Sequence, residues 1–499
     1  MQEKINQKEW LGVAGLIFFF LVLRAGFLAA GGIAATDEAY YIQAGLNLLA
    51  GKLYPAFGET TAGQPLFPIF LTLGLKWGGD PVLAARGASL ILSALTLIPF
   101  HLCVRSLATK EETFWSDLIF VLAPFAVRFS TQAMTHSLFN LTLVLMLIFI
   151  LRAKNSGRFG WAVLAGLAGS AAYLTRVEGL ALVVFVAFGT LWVERLGWKF
   201  FWGLLASFIF FCVPFWIWLR AAHGVWQLEW IEGSGVTAAF LNQWRDFLKE
   251  TGPLTHFSPF LAAGYLYLER LAKTYYLLFP RVFPVFVWII LGFGMVKMFS
   301  SKKSGLASAV LILLFASFPI FFYPLLGIDA RYLSPTGVFL TMFAGPGLCD
   351  LWERGGNRKW IRRLGLAVLI LNFLPGYGQV LAANRDAPLE HKRMGEWIRE
   401  HMTTPQVILG SDKLPCFYAG EMCGRFVWLG PTLKALEPER SFEDLLKREG
   451  VQLVFVDTRY ATHWPKIEFL FTDSPSKRFA RLAEFREGQE KIILYRFNP

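Results

Sequence analysis

Leu11–Ala35, LGVAGLIFFFLVLRAGFLAAGGIAA, is almost wholly apolar, and it runs directly into Thr36-Asp37-Glu38-Ala39-Tyr40-Tyr41. A run of that length can cross a bilayer, while two adjacent acids at its far end are costly unless solvated or paired. Tyr40-Tyr41-Ile42 and Leu46, Leu48 and Leu49 then continue in an amphipathic pattern, which predicts a helix lying along the membrane surface. The first fifty residues therefore read as a retained anchor, with no isolated small-residue cleavage site after it, followed by an interfacial acidic helix.

The remainder of the chain agrees with a membrane solvent. Of 499 residues, 55% are hydrophobic and 17% charged, against about 25% charged in soluble domains. Mean hydropathy is +0.47. The net charge of +12 does not indicate nucleic acid, because no polar basic domain carries it. The basic residues sit in short loops between apolar runs, as topology requires.

Apolar segments near spanning length recur at 11–30, 82–104, 114–130, 133–151, 159–174, 179–193, 200–219, 282–299, 306–325, 333–349 and 364–382. If these eleven alternate, Arg105/Lys110, Arg152/Lys154/Arg158, Arg195/Lys199, Lys302/Lys303 and Arg354/Arg358/Lys359/Arg362/Arg363 share one side with Lys4 and Lys8. The positive-inside rule makes that side cytoplasmic and places the C-terminal tail outside. The run from Pro65-Leu66-Phe67-Pro68 to Trp77 is too short to span, and reads as an outer interfacial or re-entrant helix.

Outer loops are then expected at 31–81 and 220–281, the second with an amphipathic helical portion at Trp244–Glu250. The expected domains are a membrane domain over 1–382 and an extracytoplasmic α/β domain over 383–499. In the tail a helix is read at Lys392–Ile398, a strand at Gln406–Leu409, a helix at Phe442–Leu446, and strands at Val451–Val456 and Lys491–Tyr495. Cys103, Cys212 and Cys349 fall in or beside apolar runs as packing residues. Cys416 and Cys423 are close enough for a loop-closing disulfide if the tail faces an oxidising compartment, and their spacing is not a zinc signature. The small-residue face Ala165-Gly166-x-x-Gly169-Ser170 suits helix packing.

Polar and ionisable residues at the junctions fall on the outer side: Asp37 and Glu38, Gln64, His136, Arg176 and Glu178, then Asp329, Arg331 and Tyr332. Each has a plainer reading. Asp37 could cap the interfacial helix, and Glu38 could be a first-turn acid supporting it. Arg176 and Glu178 could be an ion pair closing a turn, and Arg331 could snorkel to outer headgroups with Asp329 paired to it. Tyr332 could belong to the aromatic belt, and His136 could be a satisfied polar residue at a helix start. Their shared side favours a site. Guanidinium forks and a tyrosine hydroxyl suit a membrane-borne phosphate, and a carboxylate suits removal of a proton from an attacking hydroxyl.

These residues resemble the GT-C glycosyltransferases, and most closely the bacterial relatives of protein O-mannosyltransferases and of the lipid A aminoarabinose transferase. The resemblance is carried by Asp37-Glu38-Ala39-Tyr40-Tyr41 with Gly51-Lys52-Leu53-Tyr54, by Gln64-Pro65-Leu66-Phe67-Pro68, by Leu174-Thr175-Arg176-Val177-Glu178-Gly179-Leu180 and by Arg331-Tyr332-Leu333-Ser334-Pro335. It implies an α-helical polytopic membrane protein of GT-C type, of about eleven spans, that transfers a sugar from a polyprenyl phosphate with inversion at the anomeric carbon. It also implies a bacterial or archaeal cytoplasmic membrane, and an envelope acceptor that is a glycan, a lipid or a protein. By position it makes Asp37 the catalytic carboxylate with Glu38 in support, and Arg176, Arg331 and Tyr332 the donor-phosphate ligands, with Gln64 and Glu178 beside them. His136, Asp329 and Tyr40 take accessory or acceptor-side places. Two departures stand out. Gln64 replaces a lysine found in some members, so that one phosphate contact is either missing or supplied by Lys52 or Arg86, and His136 replaces an acid found in many relatives.

No cofactor is implied. Asp37 and Glu38 are able to ligate a divalent metal, but no full ligand set accompanies them. The competing reading is a transporter or flippase of polyprenyl-linked sugars. It calls for midplane polar residues, broken helices and internal repeats, whereas the polar groups here concentrate on one face.

Overall fold

A computed structural model of the chain describes residues 7–30, 34–52, 64–191, 196–223, 267–273, 283–300, 306–326, 333–356, 359–385, 389–429, 442–458, 467, 470, 478–487 and 490–499. The chain divides into two compact units. The first comprises Met1–Ala29, Gln64–Phe67 and Arg86–Ala382; the second comprises Ala30–Gly63, Pro68–Ala85 and Ala383–Pro499. In chain order the helices begin α1 (Gln7–Ala30), α2 (Thr36–Leu49), α3 (Leu66–Leu75), α4 (Pro81–Arg105), α5 (Lys110–Leu122), α6 (Pro124–Ser130), α7 (His136–Ser156) and α8 (Gly160–Thr175). They continue with α9 (Glu178–Thr190), α10 (Trp198–His223), α11 (Val285–Ser300), α12 (Leu306–Leu326), α13 (Ser334–Thr341), α14 (Ala344–Arg354) and α15 (Lys359–Arg385).

The protein is a multi-pass helical membrane protein. Among the described residues, five helices are long and apolar enough to cross a membrane alone: Gln7–Leu28, Pro81–Arg105, His136–Ser156, Trp198–Ala221 and Lys359–Leu381. The expected 114–130 span is the pair α5 and α6, bent by 56°. Pro124 opens α6 and has no N–H to continue the ladder of α5, so the bend sits where the sequence removes a hydrogen bond. The helix α8 has 16 residues and α9 has 13, which at 1.5 Å per residue gives about 24 Å and 20 Å. The expected span at 333–349 is two helices, α13 and α14.

Small residues set the helix approaches in the first unit. A Cβ on Gly347 would strike the Ile290 carbonyl, one on Gly294 the Phe343 carbonyl, and one on Gly345 the Glu112 carbonyl. These glycines allow α14 to lie against α11 and α5. The Gly166 face packs in the same way, close to Leu204 and Ser207 of α10, and Ser170 donates to the Phe208 carbonyl at 3.1 Å.

Basic loops that are distant in sequence meet at one end of this unit. Arg105 and Lys110 both pair with Glu9, at 2.7 and 3.8 Å. Lys297 bridges Glu112 at 3.0 Å and Glu353 at 3.3 Å, and Arg362 reaches Glu111 at 3.5 Å. His101, beside Glu9, bonds Asp117 at 2.7 Å. Glu9 lies near the start of α1. Arg24, fifteen residues further along the same helix, is about 22 Å away, and it donates to Ser130 at 2.8 Å. The C-terminal end of α6, at Ser130, and the Glu9 cluster therefore meet α1 at well-separated points along its length.

The second unit is an α/β domain joined by α2 and most of α3. Its further elements are α16 (Leu389–His401), β1 (Gln406–Gly410), α17 (Leu414–Ala419), β2 (Cys423–Trp428), α18 (Phe442–Arg448), β3 (Leu453–Asp457), β4 (Phe479–Glu487) and β5 (Glu490–Phe497). The sheet order is β2-β1-β3-β5-β4. The pairs β1–β2 and β1–β3 are parallel, while β3–β5 and β4–β5 are antiparallel. Every residue of β3 is buried, which explains why Leu453–Val456 reads as a continuous apolar run without alternation. All the expected tail elements are present; β2, β4 and α17 are additional. Cys416 and Cys423 form a disulfide, and Cys103, Cys212 and Cys349 are free and buried.

Candidate functional site

The acidic helix α2 belongs to the second unit. Its N-cap is Ala35, in extended conformation, so Asp37 is not the cap. The capping is done by Glu38, whose carboxylate accepts the Ala35 N–H at 2.9 Å and is fully buried. This is the reciprocal half of a capping box, in which the third helical residue reaches back to the cap amide. Asp37 is partly exposed. The two neighbouring acids thus differ in setting: Glu38 is built into the helix start, and Asp37 is accessible.

The other end of this unit's chain reaches α2 as well. Tyr418 of α17 accepts a hydrogen bond from the Ala34 N–H at 3.1 Å. Lys413, at the N-cap of α17, has its ammonium 5.0 Å from the Tyr40 ring centre and 4.7 Å from that of Trp428. Gly45 of α2 faces Pro68 and Leu71 of α3.

In the first unit, α8 ends at Arg176 and α9 begins at Glu178, so a sharp junction carries both charges. The Nη2 of Arg176 donates to Glu178 at 2.8 Å. Its Nη1 donates to the Thr135 hydroxyl at 2.9 Å and lies 3.4 Å from His136 Nε2. The guanidinium sits 5.7 Å from the Phe139 ring centre, and His136 stacks on Phe129 at 4.7 Å. Three expected residues, Arg176, Glu178 and His136, are thereby brought together, with Thr135 added. Glu178 balances the Arg176 charge. This cluster would hold an anion through oriented N–H donors rather than through a net positive field.

Gln64 is buried in the same unit, its side chain beside the Tyr173 hydroxyl, which accepts from Trp216 at 2.9 Å. Arg86 is buried too, at 3% exposure, whereas Lys52, in the second unit, is exposed. Asp329, Arg331, Tyr332 and the Trp244–Glu250 segment lie outside the described residues. Among the described residues no group of three or more His, Cys, Asp or Glu is placed to hold a metal.

Arg24 was hidden in a run that reads as apolar. It is fully buried, with its guanidinium 3.4 Å above the Phe20 ring and bonded to Ser130. A charge inside a spanning segment is the signal that should have singled it out. Phe20 and Ser130 also line a cavity of about 20 Å³ with Ser137, Asn140 and Ser334, enough for roughly one water. Asn140 donates to Ser334 at 2.8 Å, tying α7 to α13.

Residues 62–218 match the family model described as dolichyl-phosphate-mannose-protein mannosyltransferase. No curated protein matches the chain significantly. The fold is that of the GT-C glycosyltransferases. It is similar to ArnT from Cupriavidus metallidurans bound to undecaprenyl phosphate, at 15% identity and a TM-score of 0.60, covering 98% of each chain. It is also similar to the Archaeoglobus fulgidus oligosaccharyltransferase in complex with Zn and sulfate, at 13% identity and a TM-score of 0.60, covering 92% of this chain and 71% of that one. AglB from Archaeoglobus fulgidus, in complex with an inhibitory peptide and a dolichol-phosphate, matches at 12% identity and a TM-score of 0.55, over 89% of this chain and 69% of that one.

Proposed function

We propose that this chain is an integral-membrane inverting glycosyltransferase that moves a hexosyl or pentosyl group from a polyprenyl-phosphate donor to an extracytoplasmic acceptor. The observation that supports it most is the fold, which is similar over both whole lengths to a protein bound to undecaprenyl phosphate. The match of residues 62–218 to a family that uses a lipid-phosphate sugar adds to it.

In this reading Asp37, the accessible acid of α2, takes the proton of the acceptor hydroxyl as that oxygen attacks the anomeric carbon. The new C–O bond forms as the bond to the lipid phosphate breaks, and the leaving phosphate keeps the electron pair. Arg176 serves the donor phosphate with donors fixed by Thr135 and Glu178, and Arg331 and Tyr332 join it, with Gln64 nearby in role. Stabilising the leaving group's growing charge is the work such preset donors do best. Glu38 holds the helix that presents Asp37. His136, Asp329 and Tyr40 are assigned to the acceptor side. No step needs a metal.

Orientation follows from charge and redox chemistry. The basic cluster around Glu9 and Glu112 would face the cytoplasm by the positive-inside rule. The Cys416–Cys423 disulfide would place the α/β domain in an oxidising space outside the cytoplasmic membrane.

The test is incubation of the purified protein in proteoliposomes with a radiolabelled polyprenyl-phosphate sugar and an envelope extract as acceptor. The expected outcome is label in an extract component, with free polyprenyl phosphate released in equal amount. Movement of intact donor across the bilayer without transfer would replace this reading with the transporter.

A further inference from the structure

We infer that Lys413 is a positioning residue: it clamps the acidic helix α2 onto the α/β domain by lying between the rings of Tyr40 and Trp428, with the Cys416–Cys423 disulfide locking the clamp. The part of this that concerns catalysis rests on the function proposed above; the clamp itself does not.

The argument starts from a buried cation. Lys413 is only 7% exposed, and a lysine ammonium is removed from water only where something else stabilises its charge. Two aromatic faces do so here, with centroids 5.0 Å and 4.7 Å from the ammonium, inside the roughly 6 Å range of cation–π attraction. The rings come from separate places. Tyr40 stands one helical turn beyond Asp37 on α2, and Trp428 ends the edge strand β2. Lys413 itself begins α17. One side chain thus joins the acidic helix, the edge of the sheet and the helix between them.

The disulfide supplies the lock. Cys416 lies in α17, one turn after Lys413, and Cys423 opens β2, which ends at Trp428. The covalent bond therefore spans the two chain segments that carry the cation and one of its two rings. Tyr418, on the same short helix, takes the Ala34 N–H just before α2 and lies under Lys392 at 5.6 Å. The helix α17 grips both the lead-in to α2, through Tyr418, and its first turns, through Lys413. Because Glu38 caps the same helix start, the orientation of Asp37 is fixed from within α2 and from the α/β domain together.

The clamp is tested on the full-length, detergent-solubilised protein with Lys413→Met, Lys413→Arg and the reduced wild type. Hydrogen exchange of the 36–49 segment is the direct readout. Lys413→Met and reduction are expected to speed exchange there about tenfold or more, and Lys413→Arg, which keeps a cation between the rings, to restore protection. Unchanged exchange in folded Lys413→Met overturns the clamp, as does equal loss in Met and Arg variants. For catalysis, Lys413→Met is expected to lower kcat about tenfold with KM for the polyprenyl-phosphate donor unchanged. A normal kcat alongside loosened exchange overturns the positioning role. Absence of transfer in the wild type overturns the proposed function and the catalytic role together, while exchange still decides the clamp.

Discussion

Glu38 and Asp37 are neighbours, yet helix geometry gives them different work. Glu38 points back to the Ala35 amide and is buried, while Asp37 remains accessible. Glu38→Ala should therefore lower stability by about 1–2 kcal/mol, the usual cost of a lost cap, whereas Asp37→Asn should leave the melting temperature near wild type. A thermal unfolding comparison in one detergent checks both. Arg176 and Glu178 form a pair with only 11% and 8% side-chain exposure. Removing one partner strands a buried charge, so Arg176→Ala or Glu178→Gln should each cost about 3 kcal/mol. The double replacement Arg176→Met/Glu178→Leu should recover much of that loss. If the double variant is as unstable as the sum of the singles, the pair is not the stabilising unit. Activity losses in Arg176 variants have to be read beside this stability change.

At the scale of elements, the sequence showed long apolar periods and strong strand runs well. The acidic helix, the short run at Leu66–Leu75 and the buried strand Leu453–Asp457 all stood out because one dominant pattern marked each. What escaped was local punctuation. Nothing in a hydropathy window distinguishes one 17-residue span from α5 and α6 bent at Pro124. The strand β4, FARLAEFRE, carries Arg481, Glu484 and Arg486 as an edge strand, and charge on an edge disguises a strand while protecting it from pairing with other chains. Arg24 was invisible because its twenty-odd apolar neighbours outweighed it. Helix approach was legible at the Gly166 face, and the glycines of α14 add a second close approach. Gly347→Val should drive α14 off α11, with overpacking costing about 1–3 kcal/mol, since the glycine faces the Ile290 backbone. Gly12→Ala, with nothing within 4 Å of the new methyl, is the matched control, and the yield of monodisperse protein in size exclusion separates them.

At the scale of the molecule, segments as far apart in sequence as Arg105 and Arg362 deliver their cations to one end of the first unit, and the ion pairs of Glu9, Glu111, Glu112 and Lys297 record that convergence. The orientation proposed from it is open to labelling. The native cysteines are buried or disulfide-bonded, so an impermeant maleimide should find little background in sealed cells. Ser156→Cys should label only after permeabilisation, and Glu421→Cys without it; the reverse pattern would invert the topology. The residue assignments converge on one experiment. Purified wild type, Asp37→Asn and Glu38→Gln are compared for single-turnover transfer of labelled sugar from polyprenyl phosphate, each first shown to be folded by its unfolding transition. The account predicts that Asp37→Asn loses about a hundredfold or more of the transfer rate, as removal of a general base does, while Glu38→Gln keeps most of it, and that the product is inverted at the anomeric carbon. Wild-type rates in folded Asp37→Asn would contradict it.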